Sequence, residues 1–266
     1  MKKTLPPVAL TIAGSDSCGG AGVQMDLKIF AALEVYGASV ITAVTAQNSV
    51  GVRDFKALSA KLVDEQLGAV LDDLPVGAAK TGMLWSGANV RAVAAHFAAH
   101  PQIPLVVDPV IWAKDSSRLL SEQGAKVLVN ELFPLAALVT PNLGEVASIC
   151  GLEVTNTKEA RLAAERFISL GARAVLIKGG HLPGSAVDVL FDGCDFFEFK
   201  ARRRTPAVVH GTGCALSAAI TAFLARGYAL HEAVAAAHNQ LQKYIHRSVQ
   251  LGQGSQLLFP VAESQS

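Results

Sequence analysis

Short apolar runs alternate along the chain with longer stretches in which apolar residues recur every three or four positions. Val8–Ala13 reads as a buried strand, and Gly20–Val35, with Val23, Leu27, Phe30 and Leu33 at helical spacing, as the helix that follows. The same reading predicts strands at Ser39–Val44, Val76–Lys80, Leu105–Asp108, Ala137–Val139 and Ala174–Lys178. Val52–Leu58 predicts a shorter, exposed strand, because Arg53, Asp54 and Lys56 interrupt it. Helices are predicted at Ala60–Leu71 and Ala88–Ala99, from about Ser121, from near Asn142, and at Ala160–Leu170. Val187–Phe191 and Phe196–Lys200 flank Asp192-Gly193-Cys194-Asp195, a hairpin signal, and two alanine-rich helices close the pattern at Thr212–Arg226 and His231–His246. Repeated βα units imply an α/β fold: a mostly parallel central sheet with helices on both faces. No linker divides the chain, so residues 1–266 are expected to form a single domain with loosely held tails at about 1–6 and 252–266.

Composition narrows the function classes. Apolar residues make up 51% of the 266 positions and charged residues only 17%, which excludes a disordered chain and supplies a full core. The formal net charge is +1, and the basic run Lys200–Arg204 reads as a solvated strand end, so nucleic-acid binding is not expected. Four cysteines at 18, 150, 194 and 214 form no Cys-x-x-Cys pair, which argues against a disulfide scaffold. The Met1-Lys-Lys-Thr-Leu-Pro-Pro start fails as an export signal, and no apolar run is long enough for a membrane span. A reducing cytoplasm is the expected compartment.

The chemistry-bearing clusters fall at predicted strand ends, where ligands of open α/β sheets gather. His210-Gly-Thr-Gly-Cys214 links a predicted strand at Ala207–Val209 to a helix. Its glycines can bring backbone N–H groups to an anion, or serve simply as a tight turn. Cys214 in the first helical turn lies near the positive dipole end, which favours a thiolate able to take a proton. Gly14–Gly22 is glycine-rich without the pattern of a dinucleotide or Walker loop, so it fits either a flat ligand close to backbone or a flexible connection. Asp108 ends one strand, and Thr140-Pro-Asn142-Leu-Gly-Glu145 follows the next. Asn142 and Glu145 suit hydrated Mg²⁺, although an N-cap with a capping-box glutamate explains the spacing equally simply. Lys178 and His181 sit beside two glycines, as a phosphate loop or a turn.

Seven collinear motifs occur together: AGSDSCGGAGVQMDLK (13–28), TAQNSVGV (45–52), KTGML (80–84), VVDPV (106–110), TPNLGE (140–145), KGGH (178–181) and HGTGC (210–214). From about residue 8 to 250 the chain resembles the hydroxymethylpyrimidine/phosphomethylpyrimidine kinases of the ribokinase-like superfamily. That resemblance implies a three-layer αβα sandwich. It also implies ATP-dependent phosphorylation of the hydroxymethyl group of an aminopyrimidine, and then of its monophosphate, in thiamine diphosphate biosynthesis. It further implies Mg²⁺ as cofactor and a homodimer, and leaves any monovalent-cation requirement open.

By the same resemblance, Cys214 deprotonates the substrate hydroxyl, and Gly211, Thr212 and Gly213 form the anion hole. Gln47 meets the pyrimidine edge, Gly14, Met83 and Val110 line the ring, and Asp26 makes a polar contact. Lys178, Asn142 and Asp108 belong to the nucleotide phosphates, while Glu145 and Asn142 organise Mg²⁺ directly or through water. Departures from the family pattern are Gly144 in place of a proline, Ala215 in place of a frequent threonine, Met25 in place of a smaller residue, and the missing glycine in the expected flap at Ala113–Arg118.

Pyridoxine or pyridoxal kinase is the nearest alternative. A non-catalytic nucleotide-binding regulator and a cysteine hydrolase using His210 and Cys214 are more distant ones. The hydrolase is disfavoured because no carboxylate near His210 is visible in the sequence to orient it.

Overall fold

Period-two burial along the central strands sorts the apolar side chains into two layers. Leu10, Ile12, Leu105, Val107, Val175 and Ile177 turn to one face of the sheet, while Ala9, Val106 and Leu176 turn to the other. Near-continuous apolar strands of this kind are what a parallel sheet covered on both faces requires. The computed structural model describes residues 5–113, 117–180, 186–201 and 209–262.

The sheet contains β1 (Val8–Asp16), β2 (Tyr36–Gln47), β3 (Val52–Ala57), β4 (Val76–Thr81), β5 (Leu105–Val107), β6 (Leu138–Val139), β7 (Val175–Ile177), β8 (Ala186–Phe191) and β9 (Phe196–Ala201). Their spatial order is β3-β2-β1-β4-β5-β6-β7-β8-β9. The strands from β2 to β7 in that order run parallel, and β3, β8 and β9 are antiparallel additions at the two edges. One face is covered by α2 (Ala60–Leu71), α3 (Gly87–Ala99), α4 (Glu122–Val127) and α6 (Thr157–Ser169), with Val146 of α5 (Leu143–Cys150) joining the same core. The other face is covered by α1 (Gly22–Ala32), α7 (Thr212–Ala225) and α8 (Leu230–His246). This is the expected αβα sandwich. Helix α7 packs against β1 and β4 and buries several small residues, Ala215, Ser217, Ala218, Ala219 and Ala222, beside the larger Leu216, Ile220 and Phe223.

Several boundaries differ from the sequence reading, and the differences carry the site. Strand β1 continues past Ala13 to Asp16, with a register slip against β2 between Ala13 and Gly14. Gly14 and Ser15 are therefore strand residues, and only the segment from Ser17 to Ala21 is a turn. Strand β2 also runs on, to Gln47, and so delivers that side chain to the carboxyl edge. The helix predicted from Ser121 is short: Ser121 caps it, and the chain then loosens into a π turn at Leu128–Leu132 and a 3₁₀ turn at Phe133–Leu135, where Pro134 stops further α-helical bonding.

Of the tail expected to be loose from residue 252, the part from Ser255 to Leu258 is held. β10 (Val209–His210) pairs in parallel with β11 (Gln256–Leu257) outside the main sheet. Ser255 N donates to Ser49 O at 2.9 Å, and Leu257 and Leu258 are buried. Apolar burial and backbone pairing hold this segment where composition suggested slack. Of the strand predicted at Ala207–Val209, residues 207 and 208 lie outside the described residues, as do His181, residues 114–116 of the expected flap, and residues 202–204 of the basic run. The flap's flanks are joined: Ala113 N donates to Ser117 O at 2.8 Å, and the Arg118 guanidinium lies 4.9 Å from the Trp112 ring centre.

Candidate active site

Because the inner strands are parallel, their carboxyl ends converge on one edge, and there they enclose a cavity of about 330 Å³. Among the residues singled out in the sequence, Gly14, Gln47, Met83 and Val110 line one part of it. Asp108, Asn142, Glu145 and Lys178 line another, and Gly211, Thr212, Gly213 and Cys214 a third. Asp26 does not line it.

The turn after β1 is shaped by Asp16. Its carboxylate accepts from Cys18 N at 2.8 Å, Gly20 N at 3.0 Å and Ala21 N at 2.8 Å. These N–H groups, together with His210, hold the Asp16 carboxyl below its usual value despite the opposing effect of burial. The turn must be glycine-rich because it passes against the start of α7. Gly211 has φ +79°, and a β-carbon on it would lie 1.9 Å from Gly20 O. Gln47 is pinned from this turn as well: its N–H donates to Ser17 Oγ at 2.9 Å, and Ser17 Oγ donates to Gln47 O at 2.7 Å.

At the start of α7 the first intrahelical bond runs from Ala215 N to Gly211 O at 2.9 Å, and no side chain caps the helix. The N–H groups of Thr212, Gly213 and Cys214 thus lack helical acceptors and lie at the cavity wall, the arrangement that receives an anion. Lys178 stands over them: a β-carbon on Gly213 would come 3.3 Å from its Nζ. Lys178 Nζ pairs with Asp108 Oδ1 at 2.8 Å, and Asp108 also accepts from Thr140 Oγ1 at 3.2 Å and Ser217 Oγ at 3.3 Å. Burial alone would lower the lysine's pKa, but the Asp108 and Glu145 carboxyls outweigh it and raise it, so the ammonium stays charged.

A second lysine went unassigned in the sequence reading. Lys80, at the end of β4, lines the cavity, and its Nζ pairs at 2.7 Å with Asp26 Oδ2, both side chains having 0% exposure. Thr11 Oγ1 donates to the same oxygen at 2.6 Å. Asp26 is therefore consumed by structure beneath the cavity and is not placed for a direct ligand contact, a correction to the expectation. The available signal was a lysine inside the small apolar run Val76-Gly-Ala-Ala-Lys80-Thr81, where a charge persists only if paired. Lys80 is such a charge: burial lowers its pKa, yet the Asp26 carboxylate foremost, with Asp108, raises it.

Cys214 corrects a second argument. Helix position favours a thiolate, but burial dominates and pushes the thiol up to about 11, with Lys80 and the Gly22 N–H opposing. The resting group is a thiol. The ground for setting aside a His210-based hydrolase also changes, because His210 does have a carboxylate beside it: Asp16 Oδ2 lies 3.5 Å from its Nε2. That partner is remote in sequence, and only the fold brings it near.

Asn142 and Glu145 realise the capping box: Glu145 N donates to Asn142 Oδ1 at 2.9 Å and Asn142 N to Glu145 Oε2 at 2.8 Å. Both also face the cavity, so the two readings of this motif coexist. Burial pushes the Glu145 carboxyl up to about 8, with Lys178 opposing and Asp108 adding to the rise. Among the described residues no three His, Cys, Asp or Glu side chains gather into a metal cage. The donor set, a buried carboxyl and an amide oxygen beside an anion cradle, fits a Mg²⁺ that keeps its waters and phosphate ligands.

A mostly parallel αβα sandwich with an uncapped helix start and an ammonium over it is the ribokinase-like architecture of small-molecule kinases, and solved structures bear this out. The phosphomethylpyrimidine kinase of Clostridium difficile matches with a TM-score of 0.80 and 40% identity, over 90% of this chain and 99% of that one. The pyridoxal kinase of Staphylococcus aureus, solved with AMP-PCP and pyridoxal, matches with a TM-score of 0.89 and 30% identity, over 98% and 96%. The family model described as Phosphomethylpyrimidine kinase matches residues 16–258, and the chain belongs to that family.

Among curated relatives, the hydroxymethylpyrimidine/phosphomethylpyrimidine kinase of Rhizobium meliloti is 46% identical over 93% of this chain and 94% of its own. The thiamine biosynthesis bifunctional protein ThiED of Geobacter sulfurreducens is 45% identical over 92% of this chain, which spans half of that longer protein.

Proposed function

We propose that the chain is one kinase unit that transfers the γ-phosphoryl group of ATP to the hydroxymethyl group of 4-amino-5-hydroxymethyl-2-methylpyrimidine, and then phosphorylates the monophosphate. The observation that carries this reading is one cavity with the Gln47 amide on one wall and the Thr212–Cys214 N–H groups on another, overlooked by Lys178. An amide donates and accepts at once, as an aminopyrimidine edge demands. Met83 and Val110 supply the apolar wall for the ring.

Phosphoryl transfer needs positioning and charge neutralisation more than covalent chemistry from the protein. The substrate oxygen bonds to the γ-phosphorus, the bond to the bridging oxygen breaks, and ADP leaves with that oxygen. The helix-start N–H groups and Lys178 receive the charge on the transferred group. Asn142 and Glu145 would hold Mg²⁺ through water, and the ion supplies further neutralisation of the phosphate oxygens when bound. Cys214 takes the hydroxyl proton in its thiolate form. With its thiol near 11, the rate is expected to climb with pH from 7 to 9, approaching about tenfold per unit, and to lose that slope in Cys214→Ala. A flat wild-type profile would remove Cys214 as the base.

The exposed apolar side chains of Tyr36 and Val44 on β2, and of Val50 beyond it, support pairing of two copies. The free cysteines, and the finding that no helix among the described residues is long and apolar enough to cross a membrane, support a cytoplasmic setting. The close likeness to pyridoxal kinases keeps a vitamin B6 kinase as the second reading. ADP release with ATP and Mg²⁺ decides between them. Turnover is expected with the aminopyrimidine and its monophosphate; turnover with pyridoxal alone selects the second reading, and turnover with none overturns both.

A further inference from the structure

The Gln47 amide lies between two polar neighbours that are themselves committed. On one side, Thr45 Oγ1 is 3.4 Å from the amide and donates its single proton to Ser15 O at 3.0 Å. Toward Gln47 the hydroxyl is therefore an acceptor. On the other side, His210 Nε2 is 3.0 Å from the amide and 3.5 Å from Asp16 Oδ2. A carboxylate beside one ring nitrogen draws the ring proton to that nitrogen, so Nε2 is a donor.

The two ends of an amide have the same shape, and the hydrogen bonds around it decide which way it sits. With nitrogen toward His210, N–H would meet N–H, and Thr45 would be asked for a second proton. Turned over, the amide oxygen accepts the single Nε2 proton, for which it lies closer, at 3.0 Å, than Asp16 Oδ2 at 3.5 Å, and the nitrogen donates to Thr45. One N–H and one oxygen lone pair then remain for a ligand.

His210 itself is held firmly. It belongs to β10, which pairs with β11, and a β-carbon on Gly20 would come 2.7 Å from its Cδ2 and 2.9 Å from Leu257 Cδ2, so ring, turn and C-terminal strand are in contact. Asp16 is fixed by the three N–H groups of its turn.

From this we infer that His210, braced by Asp16, is a specificity-determining positioning residue: it fixes the Gln47 amide in the orientation that offers one donor and one acceptor to the ring edge of the substrate. The inference rests on the pyrimidine kinase reading and deepens it. A ring carrying both an acceptor nitrogen and an exocyclic amine benefits from a fixed amide. A ring lacking the amine uses only part of it and loses little when the amide is free to turn.

The test compares 4-amino-5-hydroxymethyl-2-methylpyrimidine with its analogue lacking the 4-amino group, by calorimetric dissociation constants for wild type, His210→Phe and His210→Gln. Wild type is expected to prefer the amino compound about tenfold or more. His210→Phe should cut that preference to about threefold or less. His210→Gln, which can still donate from its terminal nitrogen, should recover much of the preference. Using the ratio of two ligands on one preparation separates the effect from any general loss of folded protein. An undiminished preference in His210→Phe, or equal weakening of both ligands, overturns this inference and leaves the kinase reading standing. A wild type that binds neither ligand overturns the kinase reading, and this inference with it.

Discussion

Two lysine–carboxylate pairs of nearly the same length flank Cys214 and do different work. Lys80 and Asp26 meet at 2.7 Å with no exposure at all, and Lys178 and Asp108 meet at 2.8 Å with the lysine still 13% exposed to the cavity. The first pair is sealed between β4 and α1, and its carboxylate answers only to Thr11 and Lys80. The second stands over the start of α7, where the proposed function has its lysine meet a phosphate oxygen. Similar chemistry becomes scaffold or site according to which side of the sheet edge it reaches.

The sharpest way to break that contrast is Lys80→Met, which leaves the buried Asp26 carboxyl with the Thr11 hydroxyl but no cation. A loss of about 3–5 kcal/mol in urea unfolding is expected, much of it recovered in Lys80→Met/Asp26→Asn. A loss below about 1 kcal/mol would show that the buried pair is not structural. Lys178→Met should divide kcat/KM by about 10²–10³ yet destabilise less than Lys80→Met, since Asp108 keeps its Thr140 and Ser217 hydroxyl donors. Near-normal kinetics there would put the two lysines in one class.

Glu145 gives the most specific test, read as a slope rather than a single loss. Burial pushes its carboxyl from the ordinary glutamate value of 4.5 up to about 8, so between those values the folded state holds a proton that the unfolded state has lost. Ligand-free stability should therefore fall as pH rises from about 5 to 8 and level off above, by on the order of 1 kcal/mol per unit. Glu145→Gln should remove this part of the slope, and an unchanged slope in thermal melts would count against it.

The sheet was legible because a buried parallel strand is written in a few consecutive apolar residues, as in Leu105-Val-Val107, and α2 appears with the predicted bounds because Val63 and Leu67 recur at helical spacing. Most of the cavity wall was legible too, since strand-end glycines and polar residues mark turns at a known edge. Asp26 was misread because nothing in local sequence says that Lys80, 54 residues away, lies against it. The Cys214 thiol was misjudged because dipole position is local while burial is set by the whole fold. His210 and Asp16 were missed as partners because they come from opposite ends of the chain.

The pairing of β10 with β11 sets an order of events during synthesis on the ribosome. Val209 and His210 find their strand partners only once Gln256 and Leu257 have left the exit tunnel, well after the sheet and its helices are complete. A nascent chain that already holds the cavity floor still lacks the brace for its selective wall. Competence to choose a ligand therefore waits on the segment at Gln256–Leu257, after the main sheet.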